Sequence, residues 1–157
     1  VKTEGRCVIK DDLMPILEQI KSADALIIGS PNYFGNVSSA IHVALERILF
    51  SNVSYQKDKP SVFGKKIKTG FIMPMNVDKN ISTNYYKYDW LFNHIKNTMA
   101  TAFGECEFLP VYNTIQVADY SKYNITCFDI SQKLKDRKEK FPEYLDLAYK
   151  LGQKLVQ

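Results

Sequence analysis

The residues with most chemical promise stand together in one stretch, Gly29-Ser30-Pro31-Asn32-Tyr33-Phe34-Gly35-Asn36. It follows an apolar run and precedes an amphipathic one. Gly29 and Gly35 let the backbone approach a ligand closely, Pro31 stiffens the exit from the apolar run, and Tyr33 and Phe34 offer flat apolar faces beside peptide N–H groups. A planar heteroaromatic ring with acceptors at its edge suits such a loop. A plainer account fits the same residues: a strand-to-helix junction whose aromatics pack on the core. In both, Asn36 or Ser38 caps the helix that follows.

Other chemistries find less support. His42 and His94 fall on separate helices, and His94 has no second histidine or carboxylate at metal-ligand spacing, so both read as structural or surface residues. Ser30 does not sit in a Gly-x-Ser-x-Gly elbow, and neither a Gly-x-Gly-x-x-Gly nor a P-loop turn occurs. Three widely spaced cysteines, Cys7, Cys106 and Cys127, argue against a disulfide framework and fit a reducing compartment. Asn-x-Ser/Thr patterns at Asn36, Asn52, Asn80 and Asn124 are read as chance matches. The net charge is +4, and its densest cluster, Lys133 to Lys140, mixes both signs, as expected of a solvated face and not of a nucleic-acid footprint. With 45% apolar residues in 157 and no apolar run near about 18 residues, the expectation is one soluble, cytoplasmic domain without a membrane span.

The elements that must position the loop follow from periodicity. Leu13, Ile16, Leu17 and Ile20 form one helical stripe, with Asp12 as expected N-cap and Pro15 in the first turn. Ala25 to Ile28 is a continuous apolar run of the kind that suits a parallel strand covered on both faces. Val37 to Leu49 is helical again, and Ser51 to Lys66 reads as a polar loop. Ile67 to Met75 gives a second buried strand, interrupted at Pro74, and Asn76 to Tyr85 a long polar loop. A helix carrying Trp90, Leu91, Ile95, Met99 and Phe103 ends near Gly104, Cys106 to Val117 offers a third strand, and Phe141 to Val156 a terminal helix. Ala118 to Lys140 is the least regular interval. The alternation of helices and strands predicts right-handed βαβ units and an α/β layered sheet, where ligands bind beyond the carboxyl ends of the strands.

The segments Gly5-Arg-Cys-Val-Ile-Lys-Asp-Asp12, Ala23 to Ser38 and Ala44-Leu-Glu-Arg47 closely resemble the NAD(P)H-dependent FMN reductase and iron–sulfur flavoprotein group of the flavodoxin-like superfamily. The resemblance is strong over about the first 50 residues, by motif and spacing. It implies a three-layer α/β/α fold with a parallel sheet, and an FMN ring against Ser30, Pro31, Asn32, Tyr33, Phe34, Gly35 and Asn36. It extends a flavin role to Pro74, Met75, Asn76 and Val77, where the family often has a glycine-rich turn. The first pattern matches the middle of the family's layout, so the chain is expected to be a single, N-terminally truncated domain lacking the first strand, the phosphate turn and the second strand. Cys7 matches the last cysteine of a cluster found in the iron–sulfur members, but a four-iron cluster needs four ligands, so a cluster is not expected in this chain. The implied function is electron transfer from NAD(P)H through flavin to a small acceptor such as a quinone or free flavin, in a homodimer or tetramer. The alternatives are a non-catalytic interaction module of the same fold, or a fragment of an iron–sulfur flavoprotein.

Overall fold

Gly70, Phe71 and Met73 lie in the strand that sets the architecture, because it is the one buried on both faces. The computed structural model describes residues 7–157. This strand, β4 (Ile67–Pro74), lies between β1 (Ala25–Gly29) and β5 (Gly104–Val111) in a parallel sheet of order β1-β4-β5. Ala25 pairs with Lys68 and Gly29 with Ile72 on one side, and Ile67 with Gly104 and Pro74 with Val111 on the other. All three strands therefore end at the same edge of the sheet.

Side chains alternate across a strand, so successive residues of β4 meet different helices. Phe71 stacks on Phe108 of β5, which stacks in turn on Phe92 of α3 (Asp89–Phe103). Gly70 faces the opposite way, where an added Cβ would meet Leu155 and Leu151 of α5 (Phe141–Leu155) at 3.1 and 3.3 Å. Helix α2 (Ser39–Asn52) packs beside α3, and α1 (Met14–Ser22) brings Leu17 and Ile20 into the core with Ile48. Met99, Ala102 and Phe103 of α3 are wholly buried. Truncating Met99 to alanine would cost about 2–5 kcal/mol through the lost contacts and the cavity left behind. The result is the expected three-layer α/β/α arrangement.

Four expectations are corrected. β1 is not covered on both faces: among the described residues it is an edge strand and Ile27 is 46% exposed, α5 packing mainly over β4 and β5. Asp12 does not cap α1. The N-cap position is Leu13, and the acid at the helix start is Asp11, whose Oδ1 accepts from the Leu13 N–H at 3.2 Å while its carboxylate also pairs with Arg47. The interval Ser51–Lys66 holds an antiparallel hairpin, β2 (Val53–Gln56) and β3 (Lys59–Ser61), in which Pro60 is tolerated because only one partner strand needs bonds. The third strand stops at Val111, before Asn113 turns to a φ of +52°.

The interval Ala118–Lys140 contains a full helix, α4 (Ile130–Glu139), capped by Asp129, whose Oδ1 accepts from the Gln132 N–H at 2.9 Å. Its Lys133 and Asp136 are buried, so the cluster from Lys133 to Lys140 is not simply a solvated face. Tyr120 is also buried and its hydroxyl accepts from the Gln116 N–H at 2.9 Å, a packing role. No helix among the described residues is long and apolar enough to cross a membrane.

Candidate functional site

The carboxyl ends of the three strands run into loops that extend the ladder. The Ser30 N–H donates to the Ile72 carbonyl at 3.1 Å and the Asn32 N–H to Pro74 at 2.9 Å, which ties the loop after β1 to the loop after β4. The Met75 N–H donates to Val111 at 2.9 Å, the Asn113 N–H to Val77 at 2.8 Å, and both the N–H and the hydroxyl of Thr114 to Met75, at 2.9 and 3.0 Å. Residues 30–36, 74–77 and 111–114 thus form one connected rim. All eleven residues expected to line a flavin site lie in the first two of these loops.

The loop after β1 is shaped by its own polar atoms. Ser30 is 2% exposed; its Oγ accepts from the Ser38 N–H at 2.8 Å and donates to the Pro31 carbonyl at 3.0 Å, closing the base of the loop against the start of α2. Ser38 caps that helix, and Asn36 instead turns its Oδ1 to the Val37 N–H. Tyr33 and Asn36 exchange backbone bonds of 2.8 and 3.1 Å, so Phe34 and Gly35 form the tip of a two-residue hairpin. Both tip residues have positive φ, +52° and +77°, which is the signature of a type I′ turn. Glycine adopts this at no steric cost; phenylalanine does not.

Phe34 is nevertheless fully exposed, and Tyr33 is mostly so. A bulky residue held in a disfavoured conformation costs of order 1–3 kcal/mol, and here no packing of its ring offsets that. The plainer account, in which these aromatics pack on the core, is therefore overturned for Phe34. Asn32 adds a second anomaly: its Oδ1 accepts from the Gly35 N–H at 3.0 Å, but its Nδ2 is buried without a partner. A buried amide donor left unpaired costs about 1–3 kcal/mol, and an acceptor on a bound ring would relieve it.

Opposite this turn stands a set of tyrosines that periodicity did not reveal. A Cβ at Gly35 would lie 3.2 Å from Cε1 of Tyr88. Tyr88 stacks on Tyr86 with ring centres 5.0 Å apart, and Tyr86 meets Tyr85 edge-on at 4.8 Å. Burial, with Tyr86 beside it, pushes the Tyr88 phenol above its ordinary value. These rings close the segment 78–88, which contains one π-helical turn (Ile81–Tyr85) started by Asp78, whose Oδ1 accepts from the Ile81 N–H at 2.9 Å. The density of tyrosine in Asn84-Tyr-Tyr-Lys-Tyr88 was the signal available for this wall.

The remaining candidates lie elsewhere. His42 pairs with Glu46 at 3.4 Å on the exposed side of α2, and His94 stacks on Trp90 at 5.3 Å. Both line a groove of about 260 Å³ between α2 and α3, floored by Leu45, Leu91 and Met99. Among the described residues no group of three or more His, Cys, Asp or Glu side chains is placed to hold a metal. Cys7, Cys106 and Cys127 are free thiols; burial pushes the Cys106 thiol up, toward the neutral form.

Residues 1–69 match the family model described as NADPH-dependent FMN reductase. Gly5 and Arg6 of the first resembling segment lie outside the described residues. An iron–sulfur flavoprotein of Archaeoglobus fulgidus is 33% identical over 67 residues, 43% of this chain and 33% of that protein. An iron–sulfur flavoprotein of Methanocaldococcus jannaschii is 42% identical over 55 residues, 35% of this chain and 28% of that one. The matched part thus spans a third or less of these curated relatives. A solved structure from Klebsiella pneumoniae, described as a quinone reductase, superimposes with a TM-score of 0.55 at 17% identity, covering 89% of this chain and 55% of that one. This is a likeness of fold, and the fold is flavodoxin-like.

Proposed function

We propose, from an N-terminal segment that carries the NADPH-dependent FMN reductase pattern, that this domain binds FMN and passes electrons from NAD(P)H to a small acceptor such as a quinone or free flavin. The observation that carries the reading is the Phe34 turn: an exposed aromatic, strained and aimed outward at the rim where the three strands end. Tyr33 and Phe34 would hold the ring by its faces. Asn32 Nδ2 and the backbone of Pro74, Met75, Asn76 and Val77 would meet its polar edge. Ser30, Pro31, Gly35 and Asn36 act one step back, by fixing the shape of the turn.

Bound FMN would supply the hydride acceptance and electron transfer, and the chain would supply orientation and hydrogen bonds. No side chain of the rim need act as acid or base for that transfer, which agrees with a site built of aromatics, amides and hydroxyls. The three free thiols fit a reducing, cytoplasmic setting. A homo-oligomer is part of the proposal, supported by the exposed apolar side chains of Val43 and Phe50 on α2 and Trp90 on α3.

The test is binding of FMN and riboflavin, followed by quenching of flavin fluorescence and by the visible spectrum after desalting. The rim would hold the ring, and its loops carry no Ser/Thr- and Gly-rich turn for a phosphate, so the two ligands are expected to bind this chain with similar affinity. Tyr33→Ala with Phe34→Ala should weaken both at least tenfold, a loss of about 1.4 kcal/mol, without unfolding the domain, since both rings are exposed. Unchanged affinity in that double variant sinks the assignment of the turn, and a chain that binds neither ligand favours the interaction-module reading.

A further inference from the structure

A lysine that is 1% exposed needs a reason, and Lys133 has an unusual set of partners. Helix α4 carries its ammonium to the underside of the rim. There Nζ donates to the Asn76 carbonyl, to Asn113 Oδ1 at 2.8 Å and to the Thr114 carbonyl at 3.4 Å, with the Phe128 ring 4.8 Å away. Three donors thus meet three acceptors, one from the loop after β4 and two from the loop after β5.

The cluster continues outward. Asn113, at φ +52°, donates from Nδ2 to Asp136 Oδ2 at 2.8 Å, and Asp136 also takes Gln132 Nε2 at 2.7 Å and Lys140 Nζ at 3.0 Å. Burial pulls the Lys133 ammonium below the ordinary lysine value, while Asp136 and Asp78 favour its charged form. A merely structural contact could be made more cheaply by an apolar side chain.

The geometry of one peptide unit suggests what the charge does. Every peptide bond described is trans, so a carbonyl and the N–H of the same unit point in opposite directions. The Asn76 carbonyl is turned inward to Lys133; the N–H of that unit belongs to Val77 and is turned the other way. Among the described residues neither the Asn76 nor the Val77 N–H donates to any acceptor.

We propose that Lys133 is a positioning residue for the cofactor loop: by holding the Asn76 carbonyl it presents the Val77 N–H to an acceptor on the edge of a flavin ring. The proposal rests on the flavin reading above. An N–H donor interacts more strongly as its acceptor gains negative charge, and a flavin ring gains it on reduction. Losing the orientation therefore weakens the reduced complex more than the oxidised one, and lowers the reduction potential of the bound flavin.

Lys133→Met keeps the stem and removes the donors. Expected are a loss of FMN affinity of about tenfold in fluorescence titration and a more negative potential of the bound flavin by equilibration with a reference dye. Far-UV circular dichroism checks the fold, and Lys133→Gln, which retains an amide donor, replaces the methionine variant if that one does not fold. An unaltered potential of the flavin bound to the variant overturns the proposal, even where affinity falls, because equal loss in both redox states is what a purely structural lysine gives. That result leaves the flavin reading standing. A wild-type chain that binds neither FMN nor riboflavin removes the reading itself, and Lys133's role with it.

Discussion

Replacing Gly35 with alanine tests the hairpin from its least forgiving atom. At φ +77° an L-residue is strained by roughly 1–2 kcal/mol, and the new methyl would sit 3.2 Å from Tyr88 Cε1. The Tyr88 ring would have to give by a few tenths of an ångström, loosening its stack on Tyr86. Gly64 supplies the control, because it has φ +91° and nothing within 4 Å of its would-be Cβ. Gly64→Ala therefore carries the backbone strain alone, and the excess of Gly35→Ala over it measures the contact with the tyrosine wall. We expect Gly35→Ala to cost about 2 kcal/mol, which in a domain of this size lowers the melting temperature by roughly 4–8 °C. We also expect it to weaken FMN binding several-fold, and Gly64→Ala to leave binding untouched. Thermal melts and flavin fluorescence titrations of the two variants decide it. Equal melting temperatures together with equal affinities would refute both the packing of the turn on Tyr88 and the dependence of the site on that turn.

Two further outcomes follow from other parts of the fold. Burial pushes the Asp136 carboxyl up, but hydrogen bonds from Asn113, Lys140 and Gln132 outweigh it and hold the group below the ordinary 3.8. A carboxyl lowered on folding stabilises the fold above that ordinary value and loses its contribution as pH falls through the lower folded value. Asp136→Asn should accordingly be less stable than wild type in urea at about pH 7, with the gap narrowing toward about pH 2; a gap independent of pH contradicts the sign. Gly152 lies inside α5 with open space where a Cβ would go, so Gly152→Ala should stabilise by about 0.5–1 kcal/mol, and a drop in denaturation midpoint would count against the helix as described.

What the sequence made legible is what rests on local pattern. β4 is a run of apolar residues that the core demands, and α2, α3 and α5 carry helical stripes, so all four were readable. The turn at Tyr33–Asn36 was readable because its glycines and proline state their backbone requirements in the chain itself. Helix α4 escaped because its buried face is Lys133 and Asp136, charges that burial makes meaningful only once Asn76, Asn113 and Thr114 are brought beneath them. The hairpin β2–β3 escaped because it is short, polar and contains Pro60. Tyr86 and Tyr88 gained their place only when segment 78–88 folded back on Gly35, a contact between distant parts of the chain that no local window contains.

Within the described residues β1 is hydrogen-bonded along one edge only, and Ile27 is 46% exposed. Such an edge is a template for backbone pairing with any extended chain that reaches it, and this one lies immediately upstream of the Phe34 turn. The same short strand that delivers the turn to the rim is thus where this domain, kept by itself at high concentration, should begin to self-associate. Light scattering that rises with concentration, and falls when Ile27 is replaced by lysine, would be the laboratory sign of it.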